Sequence, residues 1–227
     1  MIHNRVVALG FRIGCFVLIF LGLAIELNIF HGGMSFAAFM YYTTQSNLLA
    51  LILFAVLICR TAKGLLQDGK IGKTGYFARF EMVCAVDLLL TLVVFWTLLV
   101  PFMTDDFPLW SFGNLSVHLI APLLCLIDYI LFTDARHLKY RDVYLVVIYP
   151  LLYMAFSSAA GLLGYVYRQS AEDGAPVRFP YFFFDFDRIG VQSILYIGAL
   201  LIVFLLLSHG LYFLDRRVHK PTCQRDV

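Results

Sequence analysis

Six stretches of the chain, about 6–30, 37–59, 80–103, 112–133, 143–164 and 189–214, are each long enough and apolar enough to cross a bilayer. A hydrocarbon core of about 30 Å needs roughly 20 apolar residues in a helix rising about 1.5 Å per residue. Lipid offers no water to unpaired amides and carbonyls, so these segments must satisfy their own backbone as helices. Charged and turn-forming residues collect between them, in "HGGMS", "TAKGLLQDGKIGKTG", "TDDFPLW", "TDARHLKYRD" and "RQSAEDGAPVRFPYFFFDFDR". No repeat or separate soluble domain interrupts this pattern. Residues 1–227 therefore read as a single all-α, polytopic six-helix membrane bundle. Hydrophobic residues make up 61% of the chain and charged residues only 14%, against about a quarter charged in soluble domains.

The first run is read as a retained span and not as a signal peptide, because it contains Arg12, has no clear small-x-small cleavage site, and exceeds an h-region of about 7–15 residues. The five cysteines, Cys15, Cys59, Cys84, Cys125 and Cys223, lie in or beside apolar runs without CxxC spacing, so neither a disulfide framework nor a metal site is expected.

Basic residues fix an orientation. Arg5, Arg12, Arg60, Lys63, Lys70, Lys73, Arg79, Arg136, Lys139, Arg141, Arg216, Arg217, Lys220 and Arg225 fall on one side of the six spans, 14 of the 17 Lys and Arg. The other side has Arg168, Arg178 and Arg188, set against Glu172, Asp173, Asp185 and Asp187. The positive-inside rule puts both termini in the cytoplasm. The net charge of +2 sums this asymmetry and implies no nucleic-acid partner.

With that orientation, polar residues gather in the outer part of the bundle. Thr43 on the second span and His118 on the fourth each lie about 9 Å below the outer boundary, and Ser157 and Ser158 reach the same layer from the fifth. Thr43, Ser46, Asn47 and Ala50 share one helical face at i, i+3, i+4 and i+7, and Asn114, His118 and Pro122 form a row at i, i+4 and i+8. Two meanings stay open for these side chains. Ser, Thr, Asn and Gln join membrane helices or bond back to their own backbone, or else they line an outward-opening polar pocket. Asp87, near mid-depth, requires a partner or belongs to an ion pathway. Tyr41, Tyr42, Trp110, Tyr181 and the "YFFF" phenylalanines suit an interfacial aromatic belt.

"YYTTQSNLL" on the second span, "NLSVHLIAPLLCLIDYILF" on the fourth and "FPYFFFDFDRIG" before the last together resemble the androgen-induced and androgen-dependent integral membrane protein family, in particular its prokaryotic branch. The resemblance covers nearly the whole chain. It implies a six-span threonine hydrolase acting on fatty acid esters of hydroxy fatty acids, with the family threonine falling on Thr43 and the family histidine on His118. A one-residue shift would nominate Thr44, about 100° away around the helix.

The implied chemistry is coherent. A threonine hydroxyl attacks a carbonyl only when a base takes its proton, and neutral imidazole suits that role. Asn47, Gln45 and Asn114 are candidate oxyanion donors, Ser46 and Ser157 further pocket residues, and Asp185 a candidate for orienting His118. No cofactor or metal is expected. The expected partners are the bilayer and a lipid or fatty acyl ester from it, in a cell membrane, with the pocket toward the outer leaflet. A small transporter or channel, or a noncatalytic lipid-binding membrane protein, is the alternative.

Overall fold

The computed structural model describes residues 1–134, 138–170 and 174–218; Arg136, Glu172, Asp173, Lys220, Cys223 and Arg225 lie outside them. Among the described residues, six helices are long and apolar enough to cross a membrane: α1 (Arg5–Glu26), α2 (Tyr42–Asp68), α3 (Ala78–Phe102), α4 (Phe112–Phe132), α5 (Tyr140–Leu162) and α6 (Gln192–Arg217). The protein is an all-α, multi-pass bundle of the membrane type. The only strands among these residues are Arg168–Gln169 and Pro176–Val177, which pair antiparallel between α5 and α6.

Helix ends follow local chemistry more closely than hydropathy. α1 starts where the Asn4 side chain accepts from the amides of Val6 and Val7 at 2.9 and 3.3 Å. α2 begins at Tyr42 and not near Ala37, because Phe36–Met40 closes into a 3-10 turn and Tyr41 leaves it extended. It continues beyond the apolar run to Asp68, where Gly69 adopts φ 82°. α6 begins at Gln192 because Phe186–Ile189 is a separate short helix closed by Gly190 at φ 55°.

α1 packs along α2 and α4, and α3 runs through the middle against α2, α4, α5 and α6. Their shared core includes Phe54, Leu57, Met82, Val86, Leu88 and Phe204. Outward faces are apolar as well: Ile13, Val17, Phe20, Ile52, Leu152, Leu195 and Leu206 are exposed. Leaving such side chains uncovered is the arrangement expected where lipid, not water, surrounds the bundle.

Polar side chains point inward. Arg12, fully buried, donates to both carboxylate oxygens of Asp128 at 2.8 and 3.1 Å, and its remaining terminal nitrogen reaches Thr61 Oγ1 and the Thr74 carbonyl, each at 2.8 Å. One guanidinium thus joins α1, α2, α4 and the loop before α3. Arg5 is buried too and holds the α2–α3 loop through the carbonyls of Gly69, Ile71 and Lys73. These two arginines, counted from sequence among the charges of one membrane face, are internal struts. Glu81 accepts from the amides of Tyr76 and Phe77 at 3.0 and 2.7 Å and from the Thr133 hydroxyl, closing the start of α3 against the end of α4.

At the other end α1 and α4 approach closely. A Cβ at Gly22 would overlap Ser116 Oγ, and one at Gly113 would meet Ile25 and Glu26. Ser116 Oγ donates to the Leu18 carbonyl at 3.0 Å, so the opening stretch of α4 is pinned to α1 at the level of its histidine.

Candidate active site

α4 departs from α-helical geometry where it carries His118. Ser116–Ile120 form a π turn closed by the Ala121 amide on the Ser116 carbonyl, and Pro122 follows two residues later. Proline has no N–H and crowds the carbonyl four positions earlier, here that of His118. Trp96 Nε1 donates to that carbonyl at 3.2 Å. α3 repeats the device: its π turn, Phe95–Leu99, ends two residues before Pro101. Single π turns are rare and gather at functional sites. The two here face each other, with the Phe95 ring stacked on the His118 imidazole at 3.6 Å between centroids and 18° between planes.

The imidazole is oriented at both nitrogens. Nδ1 lies 3.1 Å from the Asn114 carbonyl oxygen. A carbonyl only accepts, so this bond places the proton on Nδ1 and leaves the Nε2 lone pair free in the neutral ring. Nε2 lies 3.4 Å from Thr43 Oγ1. The hydroxyl therefore donates to the imidazole, the geometry a base needs to take its proton. Thr43 and not Thr44 makes this contact.

Thr43 sits where two cavities meet. A wide one of about 510 Å³ is lined by Thr43, Thr44, Asn114, His118, Glu26 and Arg168, among others. A narrow one of about 70 Å³ runs between α3, α5 and α6, past Leu90, Leu151, Leu200 and Phe204. Thr43, Phe95, Leu99 and Tyr181 line both. The hydroxyl thus lies where a wide cavity carrying the polar side chains of Asn114, His118, Glu26 and Arg168 meets an apolar slot.

Protein-family models, curated proteins and solved structures yield no match to the chain.

The other polar residues singled out from sequence have different occupations. Asn47 is buried and its amide nitrogen donates to the carbonyls of Thr43 and Val117 at 2.9 and 3.1 Å, so it ties α2 to α4 with both protons engaged. Ser46 Oγ donates to the Thr43 carbonyl at 3.1 Å and lies 3.3 Å from Thr91 Oγ1 on α3. Gln45 Nε2 donates to the Phe39 carbonyl at 2.8 Å and its side chain turns away from both cavities toward Tyr149. Asn114 does face the wide cavity, although its amide donates to the Leu109 carbonyl at 2.7 Å and its carbonyl serves His118. Ser157 bonds back to Met154 within its own helix and lines neither cavity. Asp185 does not orient His118. It accepts from the Arg188 amide at 3.1 Å, capping the short helix before α6, and pairs with the Arg188 guanidinium at 3.5 Å. The orienting acceptor is the backbone carbonyl of Asn114, one turn earlier in the same helix.

Tyr181, read from sequence as part of an interfacial belt, is part of the site. It lines both cavities together with Thr43, and the Thr43 side chain and the backbone of Thr43 and Tyr42 are polar neighbours of its phenol. Burial pushes this phenol up to about 12, and those polar neighbours oppose the rise. Phe95 and Trp96 were likewise missed. The available signal was the pair of prolines, Pro101 and Pro122, each two residues beyond the turn that carries Phe95 or His118. Among the described residues no cluster of three or more His, Cys, Asp or Glu is disposed to hold a metal ion.

Proposed function

We propose that the protein is an intramembrane ester hydrolase with Thr43 as nucleophile and His118 as base, acting on a long-chain lipid ester such as a fatty acid ester of a hydroxy fatty acid. One observation carries the reading: the Thr43 hydroxyl faces an imidazole whose tautomer leaves Nε2 as an acceptor, at the junction of the wide cavity and the apolar slot. The resemblance of the second and fourth spans to the threonine hydrolase family points to the same two residues.

In this mechanism Thr43 Oγ1 bonds to the ester carbonyl carbon as its proton passes to His118 Nε2. The tetrahedral intermediate collapses with cleavage of the carbon–oxygen ester bond, and the departing alcohol takes the proton from His118. Water then attacks the acyl-threonine, giving its proton to His118. Collapse releases the carboxylic acid and returns the proton to Thr43. The sum is ester plus water to acid plus alcohol. The apolar slot suits an acyl chain and the wide cavity, with Arg168 at its edge, suits the more polar portion.

Purified protein in detergent is expected to release fatty acid from long-chain esters faster than from a water-soluble acetate ester at matched concentration. Preference for the acetate would remove the lipid-entry picture. A second reading, an ion-coupled transporter, is favoured by Asp87, whose carboxylate oxygens are buried without a hydrogen-bond partner among the described residues. Flux in liposomes without ester turnover would select it, while ligand binding with neither would select a noncatalytic lipid binder.

We further propose that both termini face the cytoplasm of a cell membrane, with the wide cavity toward the outer leaflet. The basic residues of the α2–α3 loop support this, Lys70 and Lys73 with Arg60 and Arg79 at its flanks, as do Arg216 and Arg217 at the end of α6. A cysteine at exposed position Asp105, in the loop before α4, should react with an impermeant thiol reagent on intact cells, and one at exposed Lys70 only after the membrane is opened. The reverse pattern would invert the orientation.

A further inference from the structure

The side-chain amides beside Thr43 leave the reaction without an obvious donor for the oxyanion. Both Asn47 amide protons are engaged between α2 and α4, Gln45 is turned away, and the Asn114 amide is held by the Leu109 carbonyl. We infer that the Tyr181 hydroxyl is this donor, a catalytic residue that hydrogen-bonds the carbonyl oxygen as it becomes negative. The inference rests on the hydrolase reading above and deepens it.

Three observations carry it. Tyr181 is, with Phe95 and Leu99, one of the few residues that share both cavities with Thr43, and of these only Tyr181 has a polar hydrogen to give. The Thr43 side chain is a polar neighbour of its phenol, and both residues line the same two cavities, so a carbonyl carbon bonded to Thr43 Oγ1 lies in the space that this hydroxyl borders. The ring is held in place by packing: it stacks on Phe183 at 5.2 Å and 4°, meets Tyr41 edge-on at 6.3 Å and 75°, and touches Phe184 and Tyr153. A donor fixed before the reaction needs no reorganisation when charge develops.

The first turn of α2 strengthens the arrangement. The backbone of Tyr42 and Thr43, a polar neighbour of the phenol, opens α2 with amides that have no partner within their helix. Hydrogen-bond donors beside a phenol oxygen polarise its O–H and make it a better donor. Tyr181 keeps its proton throughout; proton transfer belongs to His118.

Removing one oxyanion donor typically costs about 10²–10³ in rate. Tyr181→Phe preserves the ring and its packing, so kcat on a long-chain ester should fall about 100-fold with KM changed less than about threefold. A ring-fluorinated tyrosine incorporated at 181 retains hydroxyl and shape but ionises at lower pH. It should bring a loss of kcat on the alkaline side into the measurable range, since an ionised phenol cannot donate. A merely structural tyrosine would move neither. Should Tyr181→Phe fail to fold, the fluorinated protein still decides the matter. A Tyr181→Phe kcat within about threefold of wild type, or an unshifted alkaline limb in the fluorinated protein, would overturn the assignment while wild-type turnover leaves the hydrolase reading standing. Absence of Thr43-dependent turnover in wild type would end both.

Discussion

Thr43→Ala should abolish both ester turnover and covalent capture by a fluorophosphonate probe, whereas Thr44→Val should remain labelled. The probe imitates a carbonyl under attack, so it reads the nucleophile directly. His118→Ala should label about 10²–10⁴ times more slowly, the usual contribution of a positioned base. It should not restore rate when the assay is simply run longer with short esters, because the missing group is the proton acceptor and not a substrate contact. The single-residue discrimination is severe: Thr43 lies 3.4 Å from Nε2, while its neighbour points about 100° away around α2. Labelling of Thr43→Ala with loss in Thr44→Val would reassign the nucleophile, and equal labelling of all variants would dismiss the site.

The largest stability effect is expected at the opposite end of the bundle. Arg12→Ala should cost about 3–5 kcal/mol, since it leaves the Asp128 carboxylate buried without its counter-charge. It also removes the Arg12 donor from the Thr74 carbonyl, while Thr61 Oγ1 keeps its bond to the Leu57 carbonyl. The double replacement Arg12→Met, Asp128→Leu should be less damaging than either loss alone, because the cost of a broken pair is mostly that of the orphaned charge. Thermal unfolding in detergent, monitored by the loss of helical signal, compares the three. An Arg12→Ala protein as stable as wild type would show that the pair contributes nothing to holding α1 against α4. Neither substitution touches Thr43 or His118, so folded protein that survives should still react with the probe.

The two ends of the molecule differ in how far local sequence announced them. Six apolar runs were enough to count the spans, but not to place their ends, because capping residues and glycines stop or start a helix independently of hydropathy. Asn4, Gly69 and Gly190 did so here. Arg12 and Asp128 were each visible as charges within or beside an apolar run, yet they are 116 residues apart and only the packing of α1 on α4 makes them partners. Separation in sequence likewise hid the approach of Tyr181 to the cavities that Thr43 lines. An aromatic residue in a loop rich in aromatics carries no local mark of the hydroxyl it will face.

The chain by itself determined its class, its six spans, and the presence of a threonine and a histidine at matching depth on the second and fourth of them. Those are consequences of transfer free energy and helical rise, both read along one strand of covalent connectivity. Which threonine meets the imidazole, which nitrogen carries its proton and which acceptor orients it were settled only by tertiary structure. Helical period tells which residues share a face but not toward which neighbour that face is turned. The rotation of α2 against α4 supplied that information, bringing Thr43 to Nε2 of a ring whose Nδ1 is held by the Asn114 carbonyl. They also left Asn47, on the same face as Thr43, to bind helix to helix, because its amide meets two backbone carbonyls before it meets the cavity.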